Sequence, residues 1–108
     1  MNYSIKLNES NFDEFIRNEK VCIVYIKASW CGPCKSLSPI VEHLAREKQN
    51  EVYVGLLDAD EDMEFVKSLN VRNIPTLLFY KRGEIKERSV GLKSRNDLNK
   101  IIEDINPN

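Results

Sequence analysis

The run Val21-Cys22-Ile23-Val24-Tyr25-Ile26 is the feature that most constrains how this chain can fold. Six consecutive apolar residues, mostly β-branched or aromatic, have the composition of a strand buried on both faces. Such a strand needs structure packed above it and below it, and the sequence supplies both layers at helical spacing. Leu37, Ile40, Val41, Leu44 and Ala45 form an apolar stripe shortly after the run. Leu98, Ile101, Ile102 and Ile105 form another at i, i+3, i+4, i+7. Phe12, Phe15 and Ile16 fall at i, i+3, i+4, which predicts a first helix over residues 10–18. Ser10 with Asp13 resembles its N-terminal capping box.

Weaker signals complete the order. A short strand is predicted near residues 3–7, a second core strand over 52–57 and a short helix over 60–69, with Phe65, Val66 and Leu69 on one face. Thr76-Leu77-Leu78-Phe79-Tyr80 reads as a third core strand. Lys81-Arg82-Gly83-Glu84 reads as a turn in which Gly83 is free to take a positive φ, and 85–90 pairs back as a hairpin. Pro39 lies inside the long second helix and is expected to kink it. The order is β-α-β-α-β-α-β-β-α, which implies an α/β mixed sheet with helices on both faces. With 108 residues and no repeat, linker or low-complexity segment, the chain reads as a single domain, 1–108.

Charge narrows the function. The 16 basic and 17 acidic residues are interspersed, and no basic block exists to bind nucleic-acid phosphates. No apolar run approaches the ~20 residues of a membrane span. Met1-Asn2-Tyr3-Ser4-Ile5-Lys6 lacks an apolar stretch behind a basic one, so no secretory signal is read there and a cytoplasmic protein is expected.

Two of the three cysteines, Cys31 and Cys34, are spaced C-x-x-C between the core run and the second helix. Cys31 is therefore expected at or near a helix N-terminus, where unpaired N–H groups and the positive end of the dipole favour thiolate over thiol. Cys34, three residues on, is within reach for a disulfide. Gly32 permits close approach of a substrate backbone, and Pro33 suits a first turn. The Cys31 thiolate would attack a substrate disulfide, and Cys34 would then attack Cys31 and release reduced substrate. Other readings are weaker. Zinc needs about four ligands, and only Cys22 and the lone His43 are available besides. A haem attachment site needs His where Lys35 stands. A structural disulfide closing so short a loop gains little. Cys22 reads as a small core residue.

Trp30-Cys31-Gly32-Pro33-Cys34-Lys35 is similar to the active-site sequence of thioredoxins, and the resemblance runs from the first helix to the last. It implies the thioredoxin fold, a central mixed sheet of about five strands flanked by about four helices. Ile74-Pro75-Thr76 resembles the family's cis-proline loop facing the active-site disulfide, with Asn73 before it. Pro39, Gly83 and Val90-Gly91 match other family positions. A cis bond before Pro75 costs only ~0.5–1 kcal/mol. It would turn the Ile74 backbone toward Cys31, where it could bond an extended peptide. Trp30, Gly32, Pro33, Ile74, Pro75, Gly91 and Leu92 would form an apolar docking patch. The resemblance further implies a protein-disulfide reductase with no bound cofactor. Its electrons would come from NADPH through a thioredoxin reductase, and its partners would be disulfide-containing proteins, met as a monomer. Gly-Pro between the cysteines resembles the reducing members.

Tyr25, Lys27, Lys35 and Asp60 are the residues expected to modulate the pair; Lys35 and Asp60 match the family, and the chain departs from it at Tyr25 and Lys27. Tyr25 stands where the family carries a buried Asp, and Leu56 where it carries the partner Lys. Replacing both partners of a buried ion pair by uncharged groups is often neutral for stability. Tyr, however, is a poor base at neutral pH, so slower resolution by Cys34 is expected. Lys27 stands where the family has Trp. A Lys27–Asp60 pair beside the site is expected to favour the Cys31 thiolate. Two rival readings keep the fold: a dedicated redox partner of shifted potential, and a non-catalytic adaptor that binds through the same groove.

Overall fold

The structure, a computed structural model, describes residues 3–107. Met1 and Asn2, part of the stretch read above for a secretory signal, lie outside the described residues. The elements are β1 (Ser4–Leu7), α1 (Glu9–Ile16), β2 (Val21–Lys27), α2 (Cys34–Glu47), β3 (Val52–Asp58), α3 (Met63–Ser68), β4 (Thr76–Lys81), β5 (Glu84–Val90) and α4 (Arg95–Ile105). This is the predicted order, and the strands form one five-stranded sheet, β1-β3-β2-β4-β5. β1, β3 and β2 run parallel, and β4 and β5 are antiparallel additions.

β2 is central, and its alternating side chains enter two cores. Cys22, Val24 and Ile26 join Phe12, Phe15 and Val66 beneath α1 and α3. Val21, Ile23 and Tyr25 join Leu37, Val41, Leu98 and Ile102 beneath α2 and α4. That is why β2 contains no polar spacer: neither of its faces meets water. Phe12 fastens α1 to α3 and β4 through edge-to-face contacts with Phe65 and Tyr80 at 5.0 and 5.7 Å.

Local chemistry moves some boundaries. The first helix begins before Ser10 because Asn8 caps it. The Asn8 side chain accepts from Ser10 N–H at 2.9 Å and from Asn11 N–H at 3.1 Å, and Asn11 Oδ1 accepts from Asn8 N–H at 2.8 Å. The capping box is thus Asn8 with Asn11, not Ser10 with Asp13. The third helix begins at Met63 rather than at 60, because residues 59–62 form the turn leaving β3, where Asp62 N–H bonds the Asp58 carbonyl. The hairpin tip takes positive φ at both Arg82 and Gly83, and their N–H groups bond Asn18 and Ile16 carbonyls. α2 continues past Pro39. Among the described residues no helix is long and apolar enough to cross a membrane.

Candidate active site

β2 ends at Lys27, and the chain crosses its end in a short turn before entering α2. Cys31 N–H bonds the Ala28 carbonyl at 3.2 Å, closing the turn that carries Ser29 and Trp30 outward. α2 begins at Cys34 with Pro33 as its N-cap residue, so Cys31 sits in the turn ahead of the helix rather than in its first turn. The turn, and not a shared helical face, brings the sulfurs together. Cys31 and Cys34 form a disulfide with Cα atoms 5.4 Å apart. The Cys34 N–H donates to Cys31 Sγ at 3.1 Å.

The residues expected to form the docking patch differ in exposure. Trp30 is 62% exposed and Leu92 51%. Gly32 and Pro33 are exposed, Ile74 and Gly91 half-buried, and Pro75 buried. The Ile74–Pro75 peptide bond is cis. Gly91, at φ +87°, donates its N–H to the Pro75 carbonyl at 2.9 Å. A residue with a Cβ would be strained there, which accounts for glycine. A groove of about 430 Å³ runs beside Trp30 and Ile74, lined by Met63, Val66, Lys67 and Asn70 of the α3 region and by Val71 and Arg72. Residues 63, 66, 67 and 70 are spaced i, i+3, i+4, i+7, a signal present in the sequence but masked there by the larger apolar residues Phe65 and Leu69.

The residues expected to modulate the pair are placed differently from expectation. The Lys27–Asp60 pair does not form: among the described residues Lys27 has no carboxylate within ion-pair distance. The strand register sets Lys27 opposite Asp58. Asp60 lies beyond the end of β3, where its carboxylate accepts from Ser29 N–H at 2.8 Å. That bond holds the Asp60 carboxyl below the usual carboxylate range. The Ser29 hydroxyl and Trp30 indole assist, against a desolvation effect that opposes them. Asp60 therefore braces the turn carrying Trp30 rather than neutralising a lysine. Lys35 is exposed on the first turn of α2. Tyr25 pairs with Leu56 across β2 and β3. It is 1% exposed, and its hydroxyl meets Ser38 Oγ at 2.8 Å and the Cys34 carbonyl at 3.3 Å. Ser38 went unnoticed in the sequence because nothing there shows which face of α2 overlies Tyr25. Cys22 is buried on the opposite face of β2, its thiol 3.2 Å from the Phe15 carbonyl. Burial pushes that thiol up to about 11, against a weaker backbone hydrogen bond. Among the described residues no cluster of His, Cys, Asp and Glu could hold a metal ion.

A disulfide between two cysteines at the mouth of a helix, with an exposed tryptophan beside it in sequence, is the arrangement of a thiol–disulfide oxidoreductase. The thioredoxin family model matches residues 3–104. The chain is 36% identical over 105 residues to a thioredoxin of Buchnera aphidicola, covering 96% of this chain and 97% of the relative. It is 34% identical over 99 residues to a bifunctional thioredoxin reductase/thioredoxin of Mycobacterium leprae, covering 92% of this chain and 22% of that protein. A thioredoxin from Trypanosoma brucei brucei superposes with a TM-score of 0.87 at 24% identity, covering 97% of this chain and 92% of that one. The chain belongs to the thioredoxin family. It is a protein-disulfide reductase that works by dithiol–disulfide exchange through the Cys31–Cys34 pair.

Proposed function

We propose that Cys31 is the attacking thiolate and Cys34 the resolving thiol. The observation that carries this assignment is the Cys34 N–H directed at Cys31 Sγ from the start of a 14-residue helix. In the dithiol form that N–H and the helix dipole stabilise negative charge on Cys31, whereas among the described residues no hydrogen-bond donor to Cys34 Sγ corresponds to it. The Cys31 thiolate displaces one sulfur of a substrate disulfide, giving a mixed disulfide and a substrate thiolate that takes up a proton. Cys34, deprotonated, then attacks Cys31 Sγ and releases the second substrate sulfur.

Trp30, Gly32, Pro33, Ile74, Pro75 and Gly91 dock the substrate. The Gly91–Pro75 bond and the exposure of Trp30 support this, because an extended peptide laid between them would bring its disulfide to Cys31. The chain acts as a single-domain monomer in the cytoplasm with no bound cofactor. The fusion of both modules in the Mycobacterium leprae relative supports a thioredoxin reductase, fed by NADPH, as the partner that resets the disulfide. Tyr25, which is no carboxylate, supports slower resolution than in family members with a buried acid.

Reduction of insulin disulfides at pH 7 with limiting dithiothreitol tests this. The wild type is expected to accelerate precipitation of the insulin B chain, and Cys31→Ser and Cys34→Ser to abolish the acceleration. A Cys31→Ser variant that keeps the wild-type rate overturns the assignment.

A further inference from the structure

Tyr25 and Ser38 lie behind the redox pair, away from the exposed patch. Tyr25 sits in the middle of β2, in register between Leu56 of β3 and Leu77 of β4. The residues clustered with it, among them Leu37, Val41 and Leu98, are apolar, and among the described residues its hydroxyl has partners only toward α2. Those partners are Ser38 Oγ at 2.8 Å and the Cys34 carbonyl oxygen at 3.3 Å. One arrangement of protons satisfies both contacts: Ser38 donates to Tyr25 Oη, and Tyr25 donates to the Cys34 carbonyl. Burial pushes the phenol above its usual range, with the Ser38 bond opposing. The hydroxyl therefore stays protonated and links groups without exchanging a proton.

The carbonyl it holds belongs to the residue whose sulfur closes the disulfide. That closure is unimolecular, so its rate and equilibrium depend on how often Cys34 Sγ stands in line with Cys31 Sγ. We propose that the Tyr25–Ser38 hydroxyl pair is the positioning device of Cys34, tying the first turn of α2 to β2 and raising the effective concentration of the Cys34 thiol at Cys31. The inference rests on Cys34 being the resolving thiol. In that step the Cys34 thiol first releases its proton to solvent. The new Cys34–Cys31 bond forms as the Cys31–substrate bond breaks, and the substrate leaves as a thiolate that is then protonated. Tyr25 and Ser38 act only through the backbone of Cys34.

The test compares wild type with Tyr25→Phe, Ser38→Ala, the double variant and Ser38→Thr. Two quantities are measured: the dithiol–disulfide equilibrium in glutathione buffers, and the bimolecular rate of Cys31 with a small aromatic disulfide. Tyr25→Phe is expected to lower the equilibrium constant for disulfide formation about fivefold, the loss of one ordinary hydrogen bond. That moves the potential upward by about 20 mV. Ser38→Ala shifts it in the same direction but less, because Tyr25 keeps its own bond to the carbonyl. The double variant adds little to Tyr25→Phe, since the two hydroxyls act in series, and Ser38→Thr restores the wild-type value. The Cys31 rate stays unchanged throughout. Equilibria identical to wild type in all variants overturn the proposal, as does a Cys31 rate that falls in step with the equilibrium, which would mark general loosening of the site. If Tyr25→Phe fails to fold, Ser38→Ala against Ser38→Thr decides. A wild type that forms no internal disulfide in these buffers refutes instead the underlying assignment of the redox pair.

Discussion

Tyr25→Asp places a carboxyl in a buried cluster whose described members are apolar. The site is 1% exposed and faces Leu56 across the sheet. Two costs arise. Truncating a large buried aromatic side chain costs ~3–5 kcal/mol, through lost burial and the cavity left behind. The carboxyl then meets an apolar surrounding that raises its pKa, and an increase of ~3 units over the unfolded value near ~3.9 is worth ~4 kcal/mol. The second cost depends on pH. A carboxyl whose folded-state pKa is raised leaves the folded protein holding more protons than the unfolded one, so stability falls as pH climbs from the unfolded pKa to the folded one. The variant is expected to lose ~3–5 kcal/mol near pH 4 and about 4 kcal/mol more by pH 7, against the ~5–15 kcal/mol that such domains possess. Urea unfolding followed by circular dichroism at pH 4.5, 5.5 and 7 measures both. Adding Leu56→Lys, directly opposite in register, is expected to recover part of the loss at pH 7 and little at pH 4.5. A Tyr25→Asp variant with the same midpoint at every pH, or a Leu56→Lys addition that lowers it at pH 7, refutes the reasoning.

Asp60→Ala is expected to destabilise the turn carrying Trp30 at neutral pH but not in acid. Asp60 has a depressed folded-state pKa, so its contribution is present above the unfolded value near ~3.9 and is lost as pH falls through the folded one. The gap between the urea midpoints of the two proteins should narrow as pH falls below about 5 and close below the folded-state pKa of Asp60, and a gap that stays constant throughout the descent would show that the carboxylate charge plays no part. Cys22, buried and raised to about 11, is expected to escape alkylation in the native dithiol protein at pH 8. Mass spectrometry should find no label on Cys22 before denaturation and a label on it after; a Cys22 label gained before denaturation contradicts its burial.

What the sequence disclosed follows from which contacts are local. β2 was readable because a strand flanked by β3 and β4, and covered on both faces, has no polar position to blur its pattern. The stripe of α2 and the C-x-x-C placed the redox pair at a strand-to-helix junction with no tertiary information. Pro75 and Gly91 came from resemblance to the family, since nothing local in the sequence relates a loop proline to a cysteine 44 positions earlier. The Lys27–Asp60 expectation failed for a geometric reason. It treated Asp60 as though it stood level with Lys27, but the register sets Asp58 there, and the backbone has already turned by Asp60, toward Ser29. The Tyr25–Ser38 contact depends on the rotation of α2 over the sheet, a property of the packed core and not of either segment. The cap at Asn8 was local and still missed, because Asn with Asn three residues on is chemically equivalent to the Ser/Thr–Glu box but less familiar as a pattern.

The most direct test of the account is to trap the covalent intermediate. Cys34→Ser is incubated in its reduced form with a protein disulfide, quenched in acid and mapped by mass spectrometry without reduction. One mixed disulfide is expected, joining a substrate sulfur to Cys31, with Cys22 unmodified, and none in Cys31→Ser treated in the same way. Substrate attached to Cys34 in the Cys31→Ser variant as readily as to Cys31 in the other would contradict it, because the roles of the two sulfurs would then be interchangeable.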